Sequence, residues 1–140
     1  MLGETIFEKS SIPLLVKSLD ASMLRSRVIA NNIANINTPG YQRLDVSFED
    51  ELRKALDNGK LRGMRTNDKH MPIGRQDLSG VNATVQKPVD PTLPSSVNNV
   101  DIDKEMADLA QTQIQYNFMA KFLKGKYTRL NAAIQTKDIQ

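Results

Sequence analysis

The chain has 140 residues, with 19 basic and 16 acidic side chains and a net charge of +3. That length suits one domain, or one core with an extended excursion; a charge this mild and this scattered does not build the basic face that nucleic-acid binding needs. Cysteine is absent, which excludes disulfides, thiolate catalysis and Cys-ligated zinc.

The apolar residues concentrate at the two ends of the chain, while Asn, Gln, Asp and Lys crowd the middle. Residues 1–11 form a lead-in that carries Glu4 and Glu8. It lacks the basic and then apolar regions of a cleavable signal peptide. The apolar run Ile12 to Val16 is far shorter than the ~20 residues that span a bilayer. A helix is predicted from there to about Ile36, with Ser10 or Ser11 as its N-cap and Pro13 tolerated in its first turn. Its heptad row runs through Ile12, Leu15, Leu19, Ser22, Ser26, Ile29, Ile33 and Ile36. A second row holds Val16, Met23 and Ala30, and a third holds Leu14, Ala21, Leu24 and Val28. A helix apolar on several sides needs several neighbours. In a chain with one other strong helix, those neighbours are expected to come from other copies.

This helix stops within Ala30–Arg43, ANNIANINTPGYQR. Proline disfavours the helical conformation at Thr38 before it. Pro39-Gly40 suits the two central positions of a type II turn, because Pro presets φ and Gly tolerates φ > 0. Asn31, Asn32, Asn35 and Asn37 have two readings. As caps they close the helix C-terminus; alternatively, Asn31 and Asn35, one turn apart, fix register against neighbouring subunits as a buried Asn does in coiled coils. Asn37 reads as a cap.

In residues 44–62, Val46 and Phe48 alternate with polar residues. A short helical pattern, Phe48, Leu52 and Leu56, then ends near Asn58-Gly59 and is expected to pack back on the N-terminal helix. Glu49, Asp50 and Glu51 suit the positive end of its dipole, and nothing nearby makes them a catalytic pair. Residues 63–97 are punctuated by Gly, Pro, Asn, Asp and Ser, with a short β-like fragment at Val81 to Val85. His70 is the only histidine, so a solvated loop residue is expected rather than a metal ligand.

A second long helix is predicted within residues 98–140. Asn98, Asn99 and Asp101 are its cap candidates, Asp101 first among them. Its heptad row is Ile102, Met106, Leu109, Gln113, Tyr116, Ala120, Leu123, Tyr127, Leu130 and Ile134, with spacings alternating four and three as in left-handed coiled coils. Ile114, Phe118 and Phe122, with Met119 beside them, make a second stripe. Acidic residues at its start and Lys121, Lys124, Lys126 and Arg129 in its second half suit the macrodipole.

The order of residues in ANNIANINTPGYQR closely resembles the N-terminal signature of the flagellar rod and hook axial proteins. The stretch NNVDIDKEMADLAQTQIQYNFMAKFLKGKYTRLNAAI, from Asn98, resembles a proximal rod member of that family, with Ser96-Val97 where that member has an acidic–glycine pair. The resemblance implies a mainly α fold. Long N- and C-terminal helices pack as a coiled coil, with an irregular, partly disordered or short-β middle segment. Residues 1–43, 44–97 and 98–140 would be three parts of one structural domain. It also implies a subunit exported by the flagellar type III system without a cleaved signal peptide, polymerising in the periplasm as the proximal rod that motility requires. Its partners would be itself, FlgC-like and distal rod subunits, the adaptor FliE and the export gate. The expected assembly interface is Leu15, Leu19, Ile29, Ile33, Ile36, Leu109, Tyr116, Leu123, Tyr127, Leu130 and Ile134. The signature turn is Asn31, Asn32, Asn35, Asn37, Thr38, Pro39, Gly40 and Tyr41. No catalytic, cofactor or metal site is expected, since one histidine, no cysteine and no phosphate-cradling loop do not make an enzyme's inventory. A FlgC-like subunit and a non-flagellar coiled-coil adaptor are the alternatives.

Overall fold

The computed structural model describes residues 11–57, 81–88 and 97–135. Helix α1 spans Ile12–Ala34, strand β1 Asp45–Ser47 and helix α2 Glu49–Asp57. Strand β2 spans Thr84–Gln86 and helix α3 Ile102–Gln135. The expected lead-in over 1–10, His70 and most of the irregular segment over 63–97 lie outside the described residues.

Ser11 takes the N-cap position of α1 but makes no side-chain cap bond, and Pro13 sits in the first turn as expected. The helix ends two residues before the expected Ile36. There the Asn35 N–H reaches both Asn31 O at 3.2 Å and Asn32 O at 3.1 Å, and the Ile36 N–H reaches back only to Ile33 O at 3.3 Å. This tightening into shorter-range bonds is how a helix commonly unwinds. The next turn runs Thr38-Pro39-Gly40-Tyr41, closed by Tyr41 N–H to Thr38 O at 3.3 Å. Gly40 has φ 71°, the left-handed value that the third residue of a type II turn requires.

After the turn, β1 pairs antiparallel with β2, Val46 opposite Val85. Val46 is buried, whereas Val85, its partner on the same face of the ladder, is exposed. Helix α2 then folds back on α1, as the Phe48–Leu52 spacing suggests. Ala21 of α1, Phe48, Ala55 and Val81 form one buried cluster, with Leu52 and Ala83 packed against it. Lys17 ties the same region together, donating to Val81 O at 2.7 Å. So the third row of α1, at Ala21 and Val28, is buried within this chain itself. Val16, Met23 and Ala30 point outward.

At about 1.5 Å per residue, α1 is roughly 35 Å long and α3 roughly 50 Å. They pack antiparallel, the C-terminal end of α1 against the N-terminal end of α3. On α1 the expected row faces this seam: Ile12, Ser22 and Ile29 are buried, and Leu15, Leu19, Ser26, Ile33 and Ile36 are half-buried. On α3 part of the row differs from expectation. Glu105 and Thr112 are buried, whereas Ile102, Met106 and Gln113 are exposed. Glu105 and Thr112 take the seam positions expected of Met106 and Gln113, Glu105 because the first turns meet polar groups, while Leu109, Tyr116, Ala120, Leu123 and Leu130 of the expected row are half-buried.

Candidate functional site

The polar groups at that joint form a closed network. The Asn32 side chain is 0% exposed. Its Nδ2 donates to Leu44 O at 2.8 Å and to Glu105 Oε2 at 3.0 Å. Its Oδ1 accepts from the Leu44 N–H at 3.0 Å and from the Tyr41 hydroxyl at 3.1 Å. An amide offers two donors and two acceptor sites, and here all four are used. The Glu105 carboxylate, also 0% exposed, takes its second donor from Arg43 Nε at 2.6 Å. Arg43, its side chain 14% exposed, also lies 3.4 Å from Asp108 and 3.6 Å from Asp45. A buried carboxylate persists only when paired and hydrogen-bonded; Glu105 meets both conditions.

Two asparagines complete the joint from the other side. Asn98 Nδ2 donates to the carbonyls of Asn35, Ile36 and Thr38 at 2.9, 2.8 and 3.1 Å. It satisfies orphan carbonyls at and just past the end of α1. Asn99 Oδ1 accepts from the Arg43 N–H at 2.7 Å. Asp101, the preferred cap of α3, accepts from the Asp103 and Lys104 N–H groups at 3.0 and 3.4 Å.

The electrostatics follow from burial and these partners. Burial pushes the Tyr41 hydroxyl pKa up, and the negative charge of Glu105 adds to it. For Arg43 burial works against the charge, but the hydrogen bond and attraction of Glu105, with Asp45 and Asp108, raise its pKa above the ordinary value. Outside the joint, Glu49 accepts from Arg25 at 2.7 Å. Burial opposes the Glu49 charge, yet the Arg25 hydrogen bond, backbone donors and Coulombic attraction hold its carboxyl below the usual value.

The signature residues split by role. Asn32 is the buried one. Asn35 bonds back within its own helix end, Nδ2 to Asn31 O at 2.8 Å, and accepts from the Thr38 hydroxyl at 3.3 Å. Asn31, Asn37, Thr38, Pro39 and Gly40 are exposed, and Tyr41 is half-buried. Of the expected interface, Leu15, Leu19, Ile29, Ile33, Ile36, Leu109, Tyr116, Leu123 and Leu130 are buried or half-buried within the single chain. Tyr127 and Ile134 are exposed. Counting apolar heptads missed Glu105, Arg43, Asn98 and Asn99. The available signal was Glu105 directly before a row residue, with an arginine available in the signature.

Among the described residues, α3 carries a run of exposed apolar side chains. Ile114, Phe118 and Phe122 are 68%, 62% and 54% exposed. Their spacing of four places them on one face, and the two phenyl rings pack with centroids 5.1 Å apart. Ile114, Phe118 and Met119 form one wall of a groove of about 420 Å³, with Ala21, Phe48 and Leu52 opposite. No helix among the described residues is long and apolar enough to cross a membrane.

Two antiparallel terminal helices, locked by a polar joint at the signature turn and bare along an apolar face, are the makeup of an axial assembly subunit. The family model for flagella basal body rod proteins matches residues 23–42, the end of α1 and the signature turn. The flagellar basal body rod protein FlgB of Bacillus subtilis is 33% identical, over 86% of this chain and 89% of its own length. The FlgB proteins of Borreliella burgdorferi and Escherichia coli are 34% and 32% identical, covering 92% and 86% of this chain and 98% and 89% of theirs. The chain belongs to the FlgB family of flagellar basal body rod proteins.

Proposed function

We propose that this rod subunit builds the proximal rod by polymerising through its terminal helices, linking the export base to the distal rod and hook. One observation carries this reading: the bare Ile114–Phe118–Phe122 face beside the groove. Contiguous exposed apolar surface of this kind marks interaction sites. A neighbouring rod subunit that covers it recovers burial energy that the single chain leaves unrealised, on the order of 1.5–3 kcal/mol per fully buried large side chain.

On this reading the partners are further copies of the chain, FlgC-like and distal rod subunits, and, at the base, FliE and the export gate. The chain leaves the cytoplasm through the flagellar type III channel with its N-terminus uncleaved and assembles in the periplasm. Residues 1–43, 44–97 and 98–140 act as parts of one structural domain. The bonds from Asn98 and Asn99 to the signature turn support that unity. The test is a clean deletion, scored for swimming and for the composition of purified basal bodies. Loss of motility with rod and hook missing, restored by the wild-type gene, is the expected result. Normal swimming with intact rods, and no second copy of the gene, overturns the reading.

A further inference from the structure

The heptad row of α3 changes environment partway along. Leu109, Tyr116 and Leu123 are half-buried, whereas Tyr127 and Ile134 of the same row are 43% and 58% exposed, with Leu130 half-buried between them. Helix length accounts for the change. The Asn32–Glu105 contact sets the register of the two helices, and Ser22 of α1 and Gln115 of α3 line one groove in agreement with it. Counting outward from that contact at equal rise, Ile12 at the start of α1 comes level with residue 125. Helix α3 continues to Gln135, roughly 15 Å further at about 1.5 Å per residue. Along this overhang nothing of α1 remains to cover the row. Its charge has one sign: Lys126 and Arg129 are exposed, and residues 126–135 hold no acidic side chain. Among the described residues neither cation belongs to an ion pair.

Residues 1–10, MLGETIFEKS, join α1 where the overhang begins. They carry Leu2, Ile6 and Phe7, and their carboxylates Glu4 and Glu8 outnumber Lys9. We propose that this segment docks on the overhang of α3, Ile6 and Phe7 against Tyr127, Leu130 and Ile134, with Glu4 and Glu8 toward Lys126 and Arg129. The apolar side chains match the uncovered row, and the two carboxylates match the two cations. Attachment at Ser11 makes the contact intramolecular, so it forms at a high effective concentration; a second copy would lose translational and rotational freedom to reach the same place. The inference goes beyond the rod-subunit reading and does not depend on it. The face is also a separate one: Tyr127 follows Phe118 by nine residues, about two and a half turns, which puts it on the side of α3 opposite the Ile114–Phe118–Phe122 face.

The absence of cysteine makes the contact testable by placed thiols in the purified full chain at low concentration. Leu2→Cys is paired with Ile134→Cys on the overhang, or with Asn117→Cys, an exposed site on another side of α3, and each pair is treated with a short thiol-to-thiol cross-linker. Docking gives a cross-linked monomer from the first pair and little or none from the second. Adding Glu4→Lys and Glu8→Lys to the first pair slows its cross-linking several-fold, and a further Lys126→Glu and Arg129→Glu restores it. Equal cross-linking of the two pairs, dimers in place of cross-linked monomers, or indifference to the charge reversals overturns the proposal. Amide exchange checks it without thiols, since it reports opening region by region. Ile6→Asp with Phe7→Asp speeds exchange several-fold over residues 127–135 and leaves residues 105–119 as in the wild type. Exchange over 127–135 unchanged by these substitutions contradicts the docking.

Discussion

The Asn32 amide donates to the buried Glu105 carboxylate at 3.0 Å, joining residues 73 apart in sequence. One side chain closes the end of α1 and the other opens the seam of α3. With Arg43 supplying the second donor, this contact fixes how the two helices meet. The apolar seam that follows would tolerate sliding by a turn; the polar contact does not, because every donor and acceptor of Asn32 has one partner.

Removing either side of this contact should therefore be costly. Glu105→Gln removes the buried carboxylate that Arg43 bonds, leaving Asp108 at 3.4 Å and Asp45 at 3.6 Å as its remaining counter-charges, so the loss should stay below the roughly 3–5 kcal/mol of a fully broken buried pair. Asn32→Ala strands the Leu44 backbone groups and one carboxylate oxygen, a loss of about 1–3 kcal/mol. The double variant should lose less than the sum, with a coupling energy of about 0.5–3 kcal/mol in a denaturation cycle. Strict additivity would mean that the two residues do not act together.

Asn98 gives a sharper test of chemistry than of size. Its Nδ2 serves three carbonyls at the end of α1. Asn98→Ala removes a donor that caps the helix, which should lower stability by about 1 kcal/mol or more. Asn98→Asp should be worse than Ala, because a carboxylate has no donor and faces the negative end of the helix dipole. If Asp is tolerated better than Ala in thermal unfolding, the capping role is wrong.

Legibility in the sequence followed the physics of each part. Helix periodicity, the Pro39-Gly40 turn and the Asp101 cap depend on residues close in sequence, so both long helices and their boundaries were readable within a few residues. Phe48 and Leu52 likewise announced the return of α2 onto α1. The joint was not readable. Glu105 enters the seam only because Asn32 and Arg43 supply donors from more than sixty residues away, and a heptad count scores a carboxylate as solvent-facing. It therefore favoured Met106, which is exposed. Asn98 was read as a cap for its own helix and instead caps the other, since local spacing does not tell which helix end an amide will reach.

The pairing of Glu49 with Arg25 predicts a modest acid dependence. Its carboxyl is held below the usual value of 4.5 in the folded chain. A depressed folded pKa contributes stability that is present above the unfolded value and is lost as pH falls through the folded one. The side chain is 60% exposed, so the contribution should stay below about 1 kcal/mol. Glu49→Gln should thus be slightly less stable than wild type at neutral pH and equal to it at a pH below the carboxylate range. A stability gap that persists or widens in acid contradicts this.

The central claim is that the bare apolar face of α3 is covered by neighbouring subunits in the rod, and Phe118→Asp tests it most directly. Leu19→Asp and Leu123→Asp are less selective, because both positions are half-buried in the seam of the single chain. Phe118 is 62% exposed, so its replacement should leave the melting temperature of the purified chain nearly unchanged. Basal bodies purified from cells carrying only this variant should then lack the rod although the folded subunit accumulates. Rods of normal length and composition, built from the folded variant, would contradict the account.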